Sequence, residues 1–418
     1  MAHDRYFIQL FSLGALGVIW GVNLILLWVL HREWWRIRAV RRLAWIAPLA
    51  GALMVGLWIL GAMTGAAPLL SVGSTLAASV LTLSVAVMVA LPFSGVTLTI
   101  ERLVRWVLTG KRKGGVAVPA VPGITIAATP AHAAVNNARR SFMTTAAAAF
   151  PAITLAASGT GLIRAAGPVR MPEIPLHFPG LHPDLDGLRI LHLSDIHLGY
   201  YVGLDDLEEV MRSAEEVRPD LMLVSGDIAD DLSMLPGALR IMSQLKPKYG
   251  AFATLGNHEY FRGIETVVHI MDAGPIPLLR STGAPVTVGR GHLYIGGADD
   301  PVSMGRKERN HRFLQNSVNR AFDGAPSDAF HLLMSHRPEG LDVAAEEGIH
   351  LTVAGHTHGA QFGFNGRSLL EPWMPQRYLW GHYRRGNSQL YTSAGVGHWF
   401  PFRLGCPPEA PVYVLRKV

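Results

Sequence analysis

The 418-residue chain has one cysteine, Cys406, so it can close no internal disulfide and offers no set of thiolates for a structural zinc site. Acidic residues are scarce in its first part. Residues 1–170 carry three Asp/Glu against 15 Lys/Arg, a balance of +12, whereas residues 171–418 carry 28 against 22, a balance of −6, and together these give the overall +6. The basic excess lies in short stretches beside apolar segments and not on the acidic remainder, which excludes the usual footprint of a nucleic-acid partner. Charge is also nearly missing from three apolar runs, approximately Phe7–Leu30, Leu43–Met63 and Leu69–Leu91. Each reaches the ~20 residues that a helix needs to cross ~30 Å of hydrocarbon. With almost no ionisable group at mid-depth, these runs read as anchors and carry no transport or proton-relay signal.

The stretch "HREWWRIRAVRR" after the first run holds five arginines, and "ERLVRWVLTGKRKGG" after the third holds five Lys/Arg, whereas only Arg5 precedes the first. Positive-inside bias and crossing parity agree on an outward N-terminus and on both basic stretches in the cytoplasm. Residues 114–138, rich in Ala, Val and Pro, read as a linker. Arg139-Arg140, with Phe142 and an Ala-rich apolar stretch behind them, resemble an internal twin-arginine export signal, although Thr144 stands where a lysine is usual. The same residues satisfy a fourth membrane helix. Both readings send the chain after about residue 165 to the outer face; whether "RAAG" (Arg164–Gly167) is a cleavage site stays open. The expected organisation is three transmembrane helices in 1–113, linker plus signal or fourth helix in 114–170, and a folded domain in 171–418. Its expected location is the cytoplasmic membrane, multi-pass, with the lipid bilayer and the twin-arginine machinery as partners and the domain extracytoplasmic.

From about Leu188 the texture changes to short apolar runs that end in polar residues and alternate with helical patterns. "LRILHLSDIH", "LMLVSGDIADD", "YGAFATLGNHEY", "HLYIGGADD", "FHLLMSHRPE" and "IHLTVAGHTHG" each read as a buried strand with chemistry at its C-terminal end. The pattern means an α/β domain, in which ligands bind beyond the carboxyl ends of strands. Those ends gather Asp195, His197, Asp227, Asn257, His258, His336, His356 and His358. A mixed oxygen and nitrogen set of this kind suits Mn, Fe, Zn, Co or Ni. Seven candidate ligands among these eight residues exceed one tetrahedral ion and fit two ions ~3.5–4 Å apart that share a carboxylate, an arrangement suited to in-line displacement at phosphorus.

"SDIHLG", "GDIADD", "GNHEY", "SHRPE" and "GHTHGAQ", in this order, resemble the five signature blocks of the calcineurin-like metallophosphoesterases, over roughly residues 185–418. "TSAGVGHWFPFRLGCPPEA" is similar to the C-terminal block of a bacterial membrane-associated or exported subfamily, which often carries a twin-arginine signal. The resemblance implies two mixed β-sheets packed as a sandwich and flanked by helices. It also implies a first divalent metal on Asp195, His197, Asp227 and His358, and a second on Asp227, Asn257, His336 and His356, with Asp227 bridging. His258 would touch the phosphate and protonate the leaving oxygen. The family commonly has Gly-Gly-Gln after the second histidine of "GHTH", and Ala360 departs from it in a way that matters if that residue needs positive φ.

Neighbouring residues have plainer readings. His192 and His331 lie inside apolar strands and read as core or supporting residues. Asp230 and Asp231 either orient ligands or sit at a helix N-terminus. His398 and Arg403 are candidate phosphate contacts, Arg403 by its bidentate fork. The run Gly305–Phe313 reads as a solvated helix face. The expected activity is a membrane-anchored, metal-dependent phosphoric ester hydrolase acting on a phospholipid or lipid-linked phosphate at the outer face. The alternatives are a cytoplasmic-face UDP-sugar-lipid pyrophosphatase and a non-catalytic phosphate-binding sensor.

Overall fold

A computed structural model describes residues 7–110, 130–199, 201–302, 307–374 and 377–418. The chain divides into two compact units, Met1–Thr160 and Gly161–Val418. Most of the expected linker, 114–129, and the side chains of Arg139, Arg140 and Thr144 lie outside the described residues.

The first unit is helical: α1 (Phe7–Leu30), the short α2 (Arg32–Trp35), α3 (Arg38–Thr64), α4 (Ala67–Gly110) and α5 (Pro130–Ala165). Among the described residues three helices are long and apolar enough to span a membrane, Gln9–Leu30, Arg38–Thr64 and Pro68–Val104. The helices that carry them, α1, α3 and α4, contain the three runs expected from composition. α3 and α4 run past the apolar runs at one or both ends. Leu16, Val55, Trp58 and Ala77 pack α1, α3 and α4 together. Two polar side chains between them find main-chain partners, which an apolar medium favours: the Asn23 amide donates to the Ser84 carbonyl (2.9 Å) and the His31 ring meets the Leu91 carbonyl (2.9 Å).

The second unit is α/β, as expected. Its strands are β1 (Glu173–Phe178), β2 (Arg189–Leu193), β3 (Leu221–Ser225), β4 (Ala251–Thr254), β5 (Thr282–Val288), β6 (Gly291–Gly297), β7 (Phe330–Met334), β8 (Leu351–Ala354), β9 (Gly363–Phe364), β10 (Arg367–Ser368), β11 (Gly381–Arg385), β12 (Ser388–Thr392) and β13 (Val412–Lys417). One sheet has the order β1-β13-β2-β3-β4 and the other β11-β12-β8-β7-β6-β5, with parallel and antiparallel pairs in both; β9 and β10 form a separate two-stranded ribbon. Helices α6 (Leu204–Val217), α7 (Leu235–Gln244), α8 (Asn257–Asp272), α9 (Lys307–Ala321) and α10 (Gly340–Glu346) complete the unit.

Alternation along the strands builds the layers. In β3, Leu221 and Leu223 join β7 residues Phe330, Leu332 and Met334 in the core between the sheets. Their neighbours Met222 and Val224 face outward against Leu207, Leu239 and Val267 of α6, α7 and α8. Leu333 of β7 turns the other way, against Leu314 and Val343 of α9 and α10. Both sheets are therefore apolar on both faces, which is why the strand runs read as near-continuous hydrophobic segments.

His192 is buried in β2, its ring nitrogens 2.7 Å from the Tyr413 hydroxyl and 2.7 Å from Ser225 Oγ. Burial, with a smaller contribution from nearby His336, lowers its pKa to about 3. Between the ordinary histidine value near 6.5 and that folded value, the unfolded chain takes up a proton that the native one refuses, so stability is present above ~6.5 and lost as pH falls through this window. In chelator-containing buffer, the wild-type domain is expected to lose about 2 kcal/mol more stability between pH 7 and pH 5 than His192→Gln does. Urea midpoints of the full-length chain at the two pH values measure it, and parallel losses would remove His192 as the cause.

Candidate metal centre

Each ligand block follows a strand. Asp195 and His197 follow β2, Asp227 follows β3, Asn257 and His258 open α8 after β4, His336 follows β7, and His356 and His358 follow β8. The loops are tight: Asp195 (φ 53°), His197 (53°), Asp227 (51°), His356 (71°) and His358 (49°) all occupy the left-handed region. Such conformations cost about 1–3 kcal/mol each and persist where surrounding contacts over-determine them. Two glycines permit the approach. A Cβ on Gly256 would lie 2.2 Å from Asp227 Oδ1, and one on Gly355 would lie 2.0 Å from Asp195 Oδ2. Ala360 also has positive φ (50°), so the condition under which its methyl group matters is met. Ala360→Gly is expected to raise stability by up to about 1 kcal/mol, the left-handed penalty less the entropy a glycine loses on folding. Thermal denaturation of the two proteins tests this, and a destabilised variant would contradict it.

The structure draws the expected ligands into two groups. Ligand atoms of Asp195, His197 and His358 lie within 4.8 Å of one another, as do those of Asp227, His336 and His356. Asp227 Oδ2 reaches both, 3.7 Å from His197 Nε2 and 3.2 Å from His336 Nε2. Imidazole nitrogens face each other across each group: His197 Nε2 and His358 Nε2 at 3.1 Å, His336 Nε2 and His356 Nδ1 at 3.2 Å. Asn257 Oδ1 is buried without a hydrogen-bond partner. Converging lone pairs and an orphaned carbonyl oxygen are what a cation satisfies and protein donors here do not. The donor set thus fits divalent metal binding.

Supporting bonds fix which atoms face inward. His336 Nδ1 meets the Ser225 carbonyl at 2.8 Å, so Nε2 is the nitrogen that faces Asp227 and His356. Asp230 serves two rings, His197 Nδ1 (3.2 Å) and His258 Nδ1 (2.6 Å), and accepts from Arg262 (2.9 Å), which settles it as an orienting group. Burial opposes charge on Asp230, but the hydrogen bonds from His197 and His258 outweigh it and hold the carboxyl well below its usual range. His258 sits at the edge of the group, its Nε2 4.0 Å from Asp227 Oδ2. Its burial lowers the pKa, yet the charges of Asp227 and Asp230 win and raise it.

Several residues escaped sequence reasoning. Glu259 accepts from the main-chain N–H of Gly256 (2.7 Å), Asp227 (2.9 Å) and Ile228 (2.7 Å), stitching the Asp227 and Asn257 loops into one piece. Its position as the third residue of α8, in a capping box with Gly256, is a signal that could have found it. Arg337, buried against Asp300 (2.8 Å), places its guanidinium 3.3 Å from His356 Nε2, which no local pattern announces.

The two expected phosphate contacts lie elsewhere. Arg403 is fully buried, donates to the carbonyls of Ala394 (2.7 Å) and Gly397 (2.5 Å), and stands 3.2 Å from His358 Nδ1. Its fork is spent on main-chain oxygens because the 395–405 segment folds back over it, so it braces His358 and does not open to the cleft. His398 is also buried, against the Tyr201 ring, while its neighbour Trp399 lines the cleft. His331 contacts the Pro326 carbonyl, away from the centre.

Residues 188–360 match the family model described as calcineurin-like phosphoesterase. The chain is 27% identical over 274 residues to a transmembrane protein with metallophosphoesterase domain from Danio rerio, covering 63% of this chain and 61% of that one. It is 28% identical over 245 residues to an uncharacterized metallophosphoesterase of Helicobacter pylori, covering 57% and 62%. It therefore spans about three fifths of the length of these relatives. Among solved structures it is similar to a phosphopantetheinyl hydrolase from Mycobacterium tuberculosis, at 14% identity and a TM-score of 0.34, over 51% of this chain and 91% of that one. The segment 188–360, which carries all seven candidate ligands, is the part of the chain that is similar to the calcineurin-like phosphoesterases.

Proposed function

We propose that the protein is a membrane-anchored phosphoric ester hydrolase with two divalent ions, one on Asp195, His197, Asp227 and His358 and the other on Asp227, Asn257, His336 and His356. The observation that carries this is Asp227 Oδ2, placed between His197 and His336 so that one carboxylate serves both groups. Ions bound there would neutralise phosphoryl oxygens and make water a competent nucleophile near neutral pH. The chain's own residues do the rest. Glu259 fixes the loop of Asp227 to that of Asn257, so the shared carboxylate keeps its place. Asp230 holds the His258 ring by Nδ1, leaving Nε2 to carry a proton towards the leaving oxygen. Three candidate spanning helices tether the domain, which raises the effective concentration of phospholipids and lipid-linked phosphates over soluble esters. The flanking charges favour the outer face of the cytoplasmic membrane for the domain, by twin-arginine export or by a fourth span.

The test is hydrolysis of bis-p-nitrophenyl phosphate by the detergent-solubilised full-length protein with Mn²⁺. Two bound equivalents of metal without turnover of mono- or diesters would sink the enzyme reading in favour of a phosphate-binding sensor. A reporter fused after Val418 that is active only in the cytoplasm would reverse the orientation and move the substrate to cytoplasmic precursors.

A further inference from the structure

The metal residues floor a cavity of about 490 Å³ whose polar side is Asp227, Asn257, His258, His356 and His358. Its remaining wall is different in kind. Phe261, Leu370, Met374, Leu379 and Trp399 line it, with Ala360 at the foot. Among the described lining residues, Thr357 Oγ1 donates to the Leu379 carbonyl (2.5 Å) and Gln361 Nε2 gives one of its two hydrogens to the Phe400 carbonyl (3.1 Å). Among the described residues, no lysine or arginine lines the cavity. A nucleotide or pyrophosphate substrate would bring a second phosphate and sugar hydroxyls against this wall with no lysine or arginine among the described lining residues and only the Trp399 indole N–H and one Gln361 amide hydrogen as side-chain donors to meet them, and burying them unmatched is unfavourable. An aliphatic chain loses nothing there.

The apolar surface also continues outward. Leu369 and Trp373, next in sequence to the lining residues Leu370 and Met374, are exposed, Trp373 by 78%. Exposed tryptophan and leucine in a membrane-tethered chain suit the headgroup boundary, where an amphipathic ring is stable.

We propose that this wall is the specificity-determining subsite for an aliphatic chain, so that the substrate is a single-phosphate ester bearing that chain and not a nucleotide or a pyrophosphate. The inference rests on the hydrolase reading above and adds the identity of the group beyond phosphorus.

The probe is a series of n-alkyl p-nitrophenyl phosphates from methyl to hexyl, short enough to stay monomeric, assayed on the full-length Mn²⁺-loaded protein. Water adds to phosphorus, the phosphorus–aryl oxygen bond breaks, and nitrophenolate leaves with the bonding pair, so one readout serves every member. Full burial of a methylene is worth about four-fold, and a partly open wall should still raise kcat/KM at least ten-fold from methyl to hexyl. In the double variant Leu370→Ser, Met374→Ser the hexyl-to-methyl ratio is expected to fall towards one. Thymidine 5′-p-nitrophenyl phosphate should be the poorer substrate than hexyl by at least ten-fold. A flat series in the wild type, a ratio unmoved by the double variant, or a preference for the thymidine ester would overturn the subsite while leaving the hydrolase intact. Absence of turnover on every member and on the monoester p-nitrophenyl phosphate defeats the hydrolase reading itself, and the subsite with it, whereas turnover of the monoester alone overturns only the subsite.

Discussion

Asp227→Asn is expected to lower hydrolysis of bis-p-nitrophenyl phosphate by at least three orders of magnitude, a loss of about 4 kcal/mol of barrier lowering. The substitution is nearly isosteric, and the Asp227 main chain stays held by Glu259, so the loop should keep its shape. What changes is charge and donor character. Oδ2 lies 3.2 Å from His336 Nε2 and 3.7 Å from His197 Nε2, so it is the atom that two ions would share. An amide there either offers a neutral oxygen or turns N–H groups towards a cation, and neither binds as a carboxylate does. Metal analysis should show fewer than two equivalents per chain alongside the lost activity. A variant that retained both ions and near wild-type turnover would remove Asp227 from the centre and the proposal with it.

His258→Ala should cost about 10²–10⁴-fold on esters with an alkoxide leaving group, and no more than about ten-fold when nitrophenolate leaves. The contrast follows from the proton. Asp230 holds His258 Nδ1 at 2.6 Å, and the two nearby carboxylates favour the charged ring, so Nε2 has a proton to give. Nitrophenolate departs without one. Equal losses on both substrates would mean that the ring only positions phosphate, and no loss on either would exclude it from catalysis. Metal content should stay at the wild-type level, because His258 is not among the seven proposed ligands.

Much of this is legible in the amino-acid sequence. Six strand patterns with polar ends correspond to β2, β3, β4, β6, β7 and β8, because a strand buried on both faces writes itself as an apolar run and its ligands must follow where the sheet stops. β1, β5 and β11 to β13 were not announced in the same way. Edge strands such as β1 and β5 have one exposed face, with Glu173 and Thr282 open to water, and their alternation is too short to stand out. Arg403 shows a different limit. Its residue type suits phosphate, but type says nothing about which way a loop folds, and here four carbonyls claim the guanidinium. Asp300, Arg337 and Glu259 act through partners 19 to 37 positions away, or through main-chain N–H groups that a sequence does not display. Ala360 was legible as a question and needed a torsion angle for its answer.

β13 lies between β1 and β2, pairing in parallel with one and antiparallel with the other, although more than 200 positions separate it from both. Residues 173–193 therefore cannot acquire their neighbour until residue 417 has emerged from the ribosome, and the sheet beneath Asp195 and His197 closes only then. Pairing at such separation is slow because the intervening loop entropy comes first. Until it happens the segment exposes open strand edges, the surface on which incompletely folded chains pair wrongly.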